Sequence, residues 1–321
     1  MISIDTITAQ IPHTLKGTDF PELGEKYEGK VRDNYMRGER RILVTTDRLS
    51  AFDRIITTIP FKGQVLNQIS EFWFKHTSDI IGNHVREYPD PNVMVGVNCA
   101  PLHVEMVVRG YITGVTSTSA WYNYEKGVRN FCGNVLPEGL RKNQKFEKPI
   151  LTPSTKAAHG GHDESVSPEE LLQRGAVTEE QWRTLADAAL RLYQRGVEIC
   201  AKQGIILVDT KYEFGVAPDG KIVLIDEMHT PDSSRFWFAN EYEERLARDE
   251  EQKKVDKEYL REWLAAQGFR GEGEVPFIPD EVRAETARRY IEAFELITGQ
   301  QFAAEVGPVE ERLRRNLGRY F

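Results

Sequence analysis

Hydrophobic and polar positions change their period several times along the chain, and each change predicts an element. "KYEGKVRDNYM" and "RRILVTTD" are β-rich runs joined by "RGE", the pattern of a hairpin, so the first third reads as strands and turns. "IPFKGQVLNQISEFWFKHT" switches to helical spacing, with Val65, Ile69, Phe72 and Trp73 on one stripe. "HVEMVVRGYITG" returns to strand and ends in a glycine turn. Roughly residues 133–168 show no period and read as irregular. Ser167 with Glu170 three residues on predicts a capping box, and a long amphipathic helix runs from an N-cap at Thr178 to a terminator at Gly204. "IILVDTKYEFGV", the turn "APDG" and "KIVLIDE" predict a strand pair. The remainder reads as helical, "EYEERLARDEEQKKVDKEYLREWLAAQG" and then "PDEVRAETARRYIEAFELITG", with Glu241 to Lys257 as a solvated helix face. A boundary near residue 110 divides the chain into a β-rich part, 1–110, and an α/β part with a helical end, 111–321.

Composition narrows the class. The 321 residues, 40% apolar and 29% charged, suit two domains or one large α/β unit with a real core. A net charge of −8 argues against gripping nucleic acid by bulk positive charge, yet leaves room for a small anionic substrate held by a few Arg and Lys side chains. Cys99, Cys132 and Cys200 are far apart without CxxC spacing, so neither a disulfide framework nor a zinc site is expected. Asp5 and Pro12 interrupt the N-terminus where a signal peptide needs an apolar run, and no stretch approaches the ~20 apolar residues of a membrane span. The chain reads as cytoplasmic, with no membrane partner.

One stretch concentrates the chemistry. In "LVDTKYEFG" a strand places Asp209, Lys211 and Glu213 on one face and Val208, Thr210, Tyr212 and Phe214 on the other. The next strand adds a second carboxylate. With an even number of loop residues Glu213 faces Leu224 and Asp226 joins the charged face; with a bulge at Gly220 the register moves by one and Glu227 replaces it. Either way two carboxylates converge beside a lysine. They repel unless they share a proton or a cation, and a Mg²⁺ carrying substrate phosphates satisfies them.

Cations recur elsewhere. In "YEGKVRDNY" Lys30 and Arg32 alternate beside Gly29, where a nucleotide phosphate has access to backbone. "VVRGYITG" with "VTSTSAW", and "TPDSSRFW", each place one arginine, Arg109 or Arg235, beside glycine or serine, the composition of a phosphate-monoester pocket. The irregular middle holds Lys156, His159, His162, Asp163 and Glu164 among glycines, a composition that marks a functional loop. His159 and His162 lack metal-ligand spacing on a helix.

Together "LVDTKYEFG", "VEMVVRGYITG", "GKVRD", "TPSTKAAHGGHDE" and "DEMHTPDSSRFW" closely resemble the SAICAR synthetase family, over about residues 27–298. The resemblance implies an α+β fold, with a β-rich nucleotide lobe reminiscent of kinases and ATP-grasp enzymes packed on a larger α/β lobe. It implies an ATP-dependent ligase joining the carboxylate of carboxyaminoimidazole ribotide (CAIR) to the amine of L-aspartate, with ATP, Mg²⁺ and small molecules as its partners. It makes Lys30, Arg32 and Gly29 the ATP-phosphate contacts, and Glu213 and Asp226 the Mg²⁺ ligands, with Glu227 second. Arg109, Arg235, Ser234 and a serine after "ITG" become the ribotide 5′-phosphate clamp. Asp209 and Lys211 face the imidazole and the reacting carboxylate. Lys156, His162 and Asp163 belong to a loop closing over ATP and substrates, and Arg261 in "DKEYLREW" matches a further arginine on the substrate side. Here "VTST" separates "ITG" from "SAW", where the family has serine directly after the glycine. Ser119 fits by its neighbours Ala120 and Trp121, with Thr116 and Ser117 as alternatives. The tail after residue 300 extends past the family-like region.

The implied chemistry matches the residue types. An amine attacks a carboxylate only after one oxygen becomes a leaving group, which ATP supplies as an acyl phosphate; the transfer needs aligned cations rather than a nucleophilic Ser or Cys. Asp209 or Asp53 is the expected base for the aspartate amine. A small-molecule kinase on a related ATP-binding fold is the competing reading.

Overall fold

The computed structural model describes residues 2–52, 54–155, 164–255 and 258–321. The chain opens on a helix the sequence pattern did not announce, α1 (Ile4–Gln10), whose N-cap Ser3 accepts from the Thr6 amide. Strands Glu25–Glu28 (β1), Arg32–Arg37 (β2) and Arg40–Thr45 (β3) follow, then a small hairpin of Arg48–Ala51 (β4) and Arg54–Thr58 (β5). Helix α2 (Lys62–Thr77) leads to Val85–Asp90 (β6) and Val93–Val97 (β7). The first sheet is antiparallel in the order β1-β2-β3-β7-β6. Its expected hairpin forms, with Arg37 opposite Arg40 across Gly38–Glu39.

Both faces of this sheet are covered, which explains the unbroken apolar run in β3. Leu43 and Met94 share a core with Val65, Ile69 and Trp73, all buried on the expected stripe of α2, and Phe72 lies half-buried beside them. Ile42, Val44 and Val95 instead join Val309, Leu313 and Leu317 of the C-terminal helix. The tail therefore has a structural account: it closes the outer face of the first sheet.

The second sheet is built on two twelve-residue strands, Ala100–Tyr111 (β8) and Ile205–Val216 (β14). Between them lie α3 (Ala120–Glu125), Asn130–Phe131 (β9), Asn134–Val135 (β10), Lys145–Leu151 (β11), Ser154–Thr155 (β12) and Glu164–Ser165 (β13). Then come α4 (Pro168–Gln173), with the expected capping box, and α5 (Glu179–Lys202), whose expected N-cap Thr178 also forms a capping box with Gln181. Ile222–Ile225 (β15) and Ser234–Phe238 (β16) complete the strands. The order is β13-β12-β8-β14-β15, with β11 also on β8 and β16 also on β14. All partners of β8 lie in this sheet, so the two sheets divide between Val97 and Ala100, ahead of the position near residue 110.

Two expectations give way to sheet pairing. The middle segment carries β11, paired to β8 through a bulge, because β8 offers it an open edge. The charge run is not one helix: α6 (Tyr242–Ala247) ends, Asp249 adopts φ +53, and the chain runs beside β16 before α7 (Glu258–Ala266) begins. There Phe238 N–H donates to Lys253 O (3.1 Å) and Val255 N–H to Phe236 O (2.9 Å). The edge of β16 satisfies backbone groups that a helix would otherwise have satisfied. Helices α8 (Asp280–Thr298) and α9 (Val309–Asn316) finish the chain. Among the described residues no helix is long and apolar enough to cross a membrane.

Candidate active site

β14 changes neighbours halfway along its length, and this change builds the site. Its first half pairs with β16 and its second half with β15. At the switch, Lys211 N–H donates to Ser233 O (3.2 Å), so the segment joining β15 to β16 fills the gap.

The register differs from the one that the choice of Asp226 required. Glu213 stands opposite Ile225, not Leu224. Gly220 at φ +84 makes the bulged, three-residue loop, the alternative that favours Glu227. The strand then stops at Ile225, and Asp226 itself turns left-handed at φ +69. Asp226 remains close enough to Glu213 for the two carboxylates to repel each other. Arg32 receives both acids, Nη1 to Asp226 Oδ1 at 3.2 Å and Nη2 to Glu227 Oε2 at 2.6 Å.

The charged row of β14 forms as expected, and Asp209 and Lys211 each meet an oppositely charged partner across the sheet. Asp209 lies opposite Arg109 on β8 and Arg235 on β16. Its Oδ2 accepts from Arg235 Nη1 at 2.5 Å and lies 3.5 Å from Arg109 Nη1. Lys211 Nζ bonds Glu213 Oε1 (2.8 Å) and Glu105 Oε1 (2.7 Å), the latter from β8 and absent from the sequence reading. The opposite face differs in one residue. The pairing of β14 with β16 shifts between Leu207 and Asp209, so Val208 packs with Tyr111, Trp237 and Tyr242 rather than with Tyr212 and Phe214.

Burial sets the electrostatics. It pushes the Asp226 carboxyl up, Glu213 and Glu227 add to this, and Arg32 and Lys211 oppose it. Burial also penalises the Lys211 ammonium and the Arg32 guanidinium, yet their carboxylate neighbours outweigh it and hold both above their usual range. Arg109 is lowered by burial, with Asp209 opposing.

Beside the row lies a cavity of about 380 Å³ lined by Arg109, Asp209, Lys211, Ser234, Arg235 and Arg261. Five sequence-selected polar or charged groups besides Lys211 thus meet at one surface. Lys142, Asp232, Gln252 and Lys254 line it too, and sequence reading missed them. The last two lie in the supposed helix face, where only the pairing with β16 aims them inward. A larger open depression of about 650 Å³ beside Cys132 and Glu169 carries no Lys or Arg among the described residues of its lining.

The "VTST" insertion forms its own turn, with Ser119 N–H to Thr116 O (2.8 Å), and Arg109 Nη2 donates to Thr118 O (2.9 Å). "ITG" and "SAW" therefore abut. A Cβ on Gly114, at φ +93, would stand 2.4 Å from Ser119 Oγ and 3.2 Å from Arg235 Nη2, so only glycine fits there. Ser119 is buried and its hydroxyl bonds Thr116 Oγ1 (2.7 Å); Thr116 lines the cavity, whereas Ser117 lines the larger depression.

At the other end, Gly29 N–H donates to Arg32 O (2.8 Å) in the turn from β1 to β2, and Lys30 is exposed on that turn. Arg48 holds it from beneath, donating to Gly29 O, Lys30 O and Lys16 O while pairing with Asp33. Nothing in the spacing of "TDRLS" marks Arg48 for this. Lys62, fully buried, pairs with Asp232 (2.9 Å), which also accepts from Tyr290 Oη (2.6 Å). Asp53, Lys156, His162 and Asp163 lie outside the described residues.

Comparison with known proteins agrees with this arrangement. The SAICAR synthetase family model matches residues 25–276. A phosphoribosylaminoimidazole-succinocarboxamide synthase of Legionella pneumophila is 49% identical over 310 residues, covering 96% of this chain and 98% of its own. Its counterpart in Bacteroides thetaiotaomicron is 48% identical, covering 94% and 97%. The SAICAR synthase of Saccharomyces cerevisiae, solved with SAICAR, superposes with a TM-score of 0.80 at 34% identity, over 91% of this chain and all of its own, and shares the ATP-grasp-like α+β fold. These likenesses do not favour the kinase reading. The chain belongs to the SAICAR synthetase family, the ATP-dependent ligases of purine biosynthesis.

Proposed function

We propose that the chain condenses CAIR with L-aspartate at the expense of ATP, with the ribotide phosphate in the cation-lined cavity and the nucleotide phosphates at the Arg32 end of the row. One observation carries the assignment: Asp209, Lys211 and Glu213 on a single strand join an anion-binding cavity to a cluster of acids. Arg109, Ser234 and Arg235, with Ser119 behind Gly114, take the 5′-phosphate, as guanidinium forks beside hydroxyl donors suit a monoester. Asp209 keeps those two arginines apart and aligned. Lys211 faces the reacting carboxylate, where its ammonium, held charged by Glu105, Glu213 and Asp226, offsets developing negative charge. Arg32 and Lys30 approach the nucleotide, with the Gly29 turn braced by Arg48.

The donors of Glu213 and Asp226 fit a Mg²⁺ ion. They are hard oxygens from adjacent segments, and Asp226, raised first by burial, also feels the negative charge of Glu213 and Glu227 against the opposing Arg32. Among the described residues no group of three or more His, Cys, Asp or Glu forms a metal site, so substrate phosphates and water would complete the shell. Bound there, the ion would neutralise charge on the phosphates during transfer. The chain's own residues then position the CAIR carboxylate at the γ-phosphoryl group. Its oxygen attacks phosphorus, ADP leaves, and the aspartate amine attacks carbon to expel phosphate. Asp209 is the described candidate to take the amine proton.

Two measurements test this. ATP turnover is to require both CAIR and L-aspartate, and omission of either is to abolish amide formation. Heavy oxygen in the CAIR carboxylate is to appear in the released phosphate; label absent from phosphate, or phosphorylated aspartate, overturns the acyl-phosphate route.

A further inference from the structure

Between Ile225 and Ser234 the chain crosses from the nucleotide end to the ribotide end, and one hydroxyl holds that crossing together. Thr230 is fully buried. Its Oγ1 donates to Glu227 Oε2 at 2.8 Å, the same carboxylate oxygen that receives Arg32 Nη2. Since a carboxylate only accepts, the single Thr230 proton is committed to Glu227. The lone pairs face the other way, receiving the Asp232 and Ser233 amides, each at 3.3 Å. Those two residues begin the turn that delivers Ser234 and Arg235 to the cavity, and Ser234 N–H closes it on Thr230 O (2.9 Å).

The crossing is strained and anchored at its flanks. Asp226 and His229 both have left-handed backbones, φ +69 and +47, without being glycine. The His229 ring is buried beneath, its Nε2 bonded to Tyr212 Oη at 2.5 Å, which ties the crossing to β14. Asp232 is fixed by Lys62 and Tyr290. Thr230 is where the two halves meet.

We infer that the Thr230 hydroxyl is a positioning group that couples the nucleotide end, Arg32 with Asp226 and Glu227, to the ribotide end, Ser234 with Arg235. This rests on the assignment of the two ends given above. A ligand that draws on Arg32 shifts Glu227, and through the hydroxyl the Asp232–Ser233 amides; linkage makes the effect reciprocal.

The test is a binding cycle by calorimetry: CAIR affinity with and without Mg-ADP, and ADP affinity with and without CAIR. The proteins are wild type, Thr230→Val, Thr230→Ala and Thr230→Ser. In wild type each ligand is expected to change the affinity of the other by about fivefold or more. Val and Ala are expected to bring that factor close to one, leave each ligand's separate affinity within about threefold, and lower kcat; Ser, which keeps the hydroxyl, is expected to restore the coupling. Coupling that survives in Val or Ala overturns the inference, as does an uncoupled wild type or an equal loss in Ser, which would assign the effect to the methyl. Wild-type protein that binds neither ADP nor CAIR overturns the functional reading, and this inference with it.

Discussion

Two regions of this molecule bury ionised side chains, and they do so differently. Around the first sheet each buried ion is closed off by protein. Arg48 spends its donors on Asp33 and three carbonyls, and Asp33 accepts in addition from Thr18. Arg312 pairs with Asp90 (2.9 Å) and Asn92 (2.5 Å), while Asp90 also accepts from Asn316 and the Asn92 amide. Along β14 the ions are more open, with the Lys211 and Arg235 side chains 31% and 35% exposed against 4% for Arg48 and 0% for Asp33. They border a cavity, with cations in excess at the Arg235 end and acids at the Asp226 end. Closed pairs of this kind hold the fold, because burying them requires complete local compensation. Open, unbalanced rows fit a ligand that completes them.

This contrast predicts opposite phenotypes. Arg312→Met strands Asp90 and should destabilise the protein by about 3–5 kcal/mol in denaturant unfolding, with turnover per folded molecule near wild type. A turnover loss without a stability loss would break the comparison. Glu213→Gln and Asp226→Asn should do the reverse, each costing roughly 3–4 kcal/mol of transition-state stabilisation, a several-hundred-fold fall in kcat, with little change in the denaturation midpoint. Glu227→Gln sharpens the point: if it is inactive while Asp226→Asn is active, the bulged register and not the left-handed turn names the ligand.

Smaller effects are expected at the cationic end. Arg109→Ala and Arg235→Ala should each raise KM for the ribotide by about 30-fold, on the order of 2 kcal/mol, and leave KM for ATP nearly unchanged. Equal effects on both would move these arginines to the nucleotide. The mildest test uses Asp47, a closed carboxyl without a paired guanidinium, which accepts from the Leu15 and Gly63 amides. Burial raises it from 3.8 to about 6. The native state therefore keeps a proton that the unfolded chain releases, so this stabilisation is complete below about pH 4 and lost as pH rises through about 6. Urea unfolding across that window should show a slope that Asp47→Asn removes.

Much of the site was legible because it depends on local rules. Strand alternation alone puts Asp209, Lys211 and Glu213 in a row, and glycine or serine beside arginine marks Arg109, Arg235 and Gly29 with Arg32. Capping chemistry located α4 and α5 from Ser167 and Thr178. The misses share one cause. Gln252 and Lys254 looked like helix surface because nothing within the charge run shows that its backbone pairs with the edge of β16. Arg48, Lys62 and Glu105 look like ordinary charges until Gly29, Asp232 and Lys211 are placed beside them.

By itself the sequence determined most of the elements, the charged row on β14 and the family, since these follow from side-chain period, turn residues and motif identity over short spans. Only the tertiary structure decided the register of Glu213 against Ile225, the left-handed turn at Asp226, and the bond from the Thr230 hydroxyl to Glu227. A register can shift by one residue at almost no local cost, so the choice falls to contacts such as Arg32 with Asp226 and Glu227, made between residues almost two hundred positions apart.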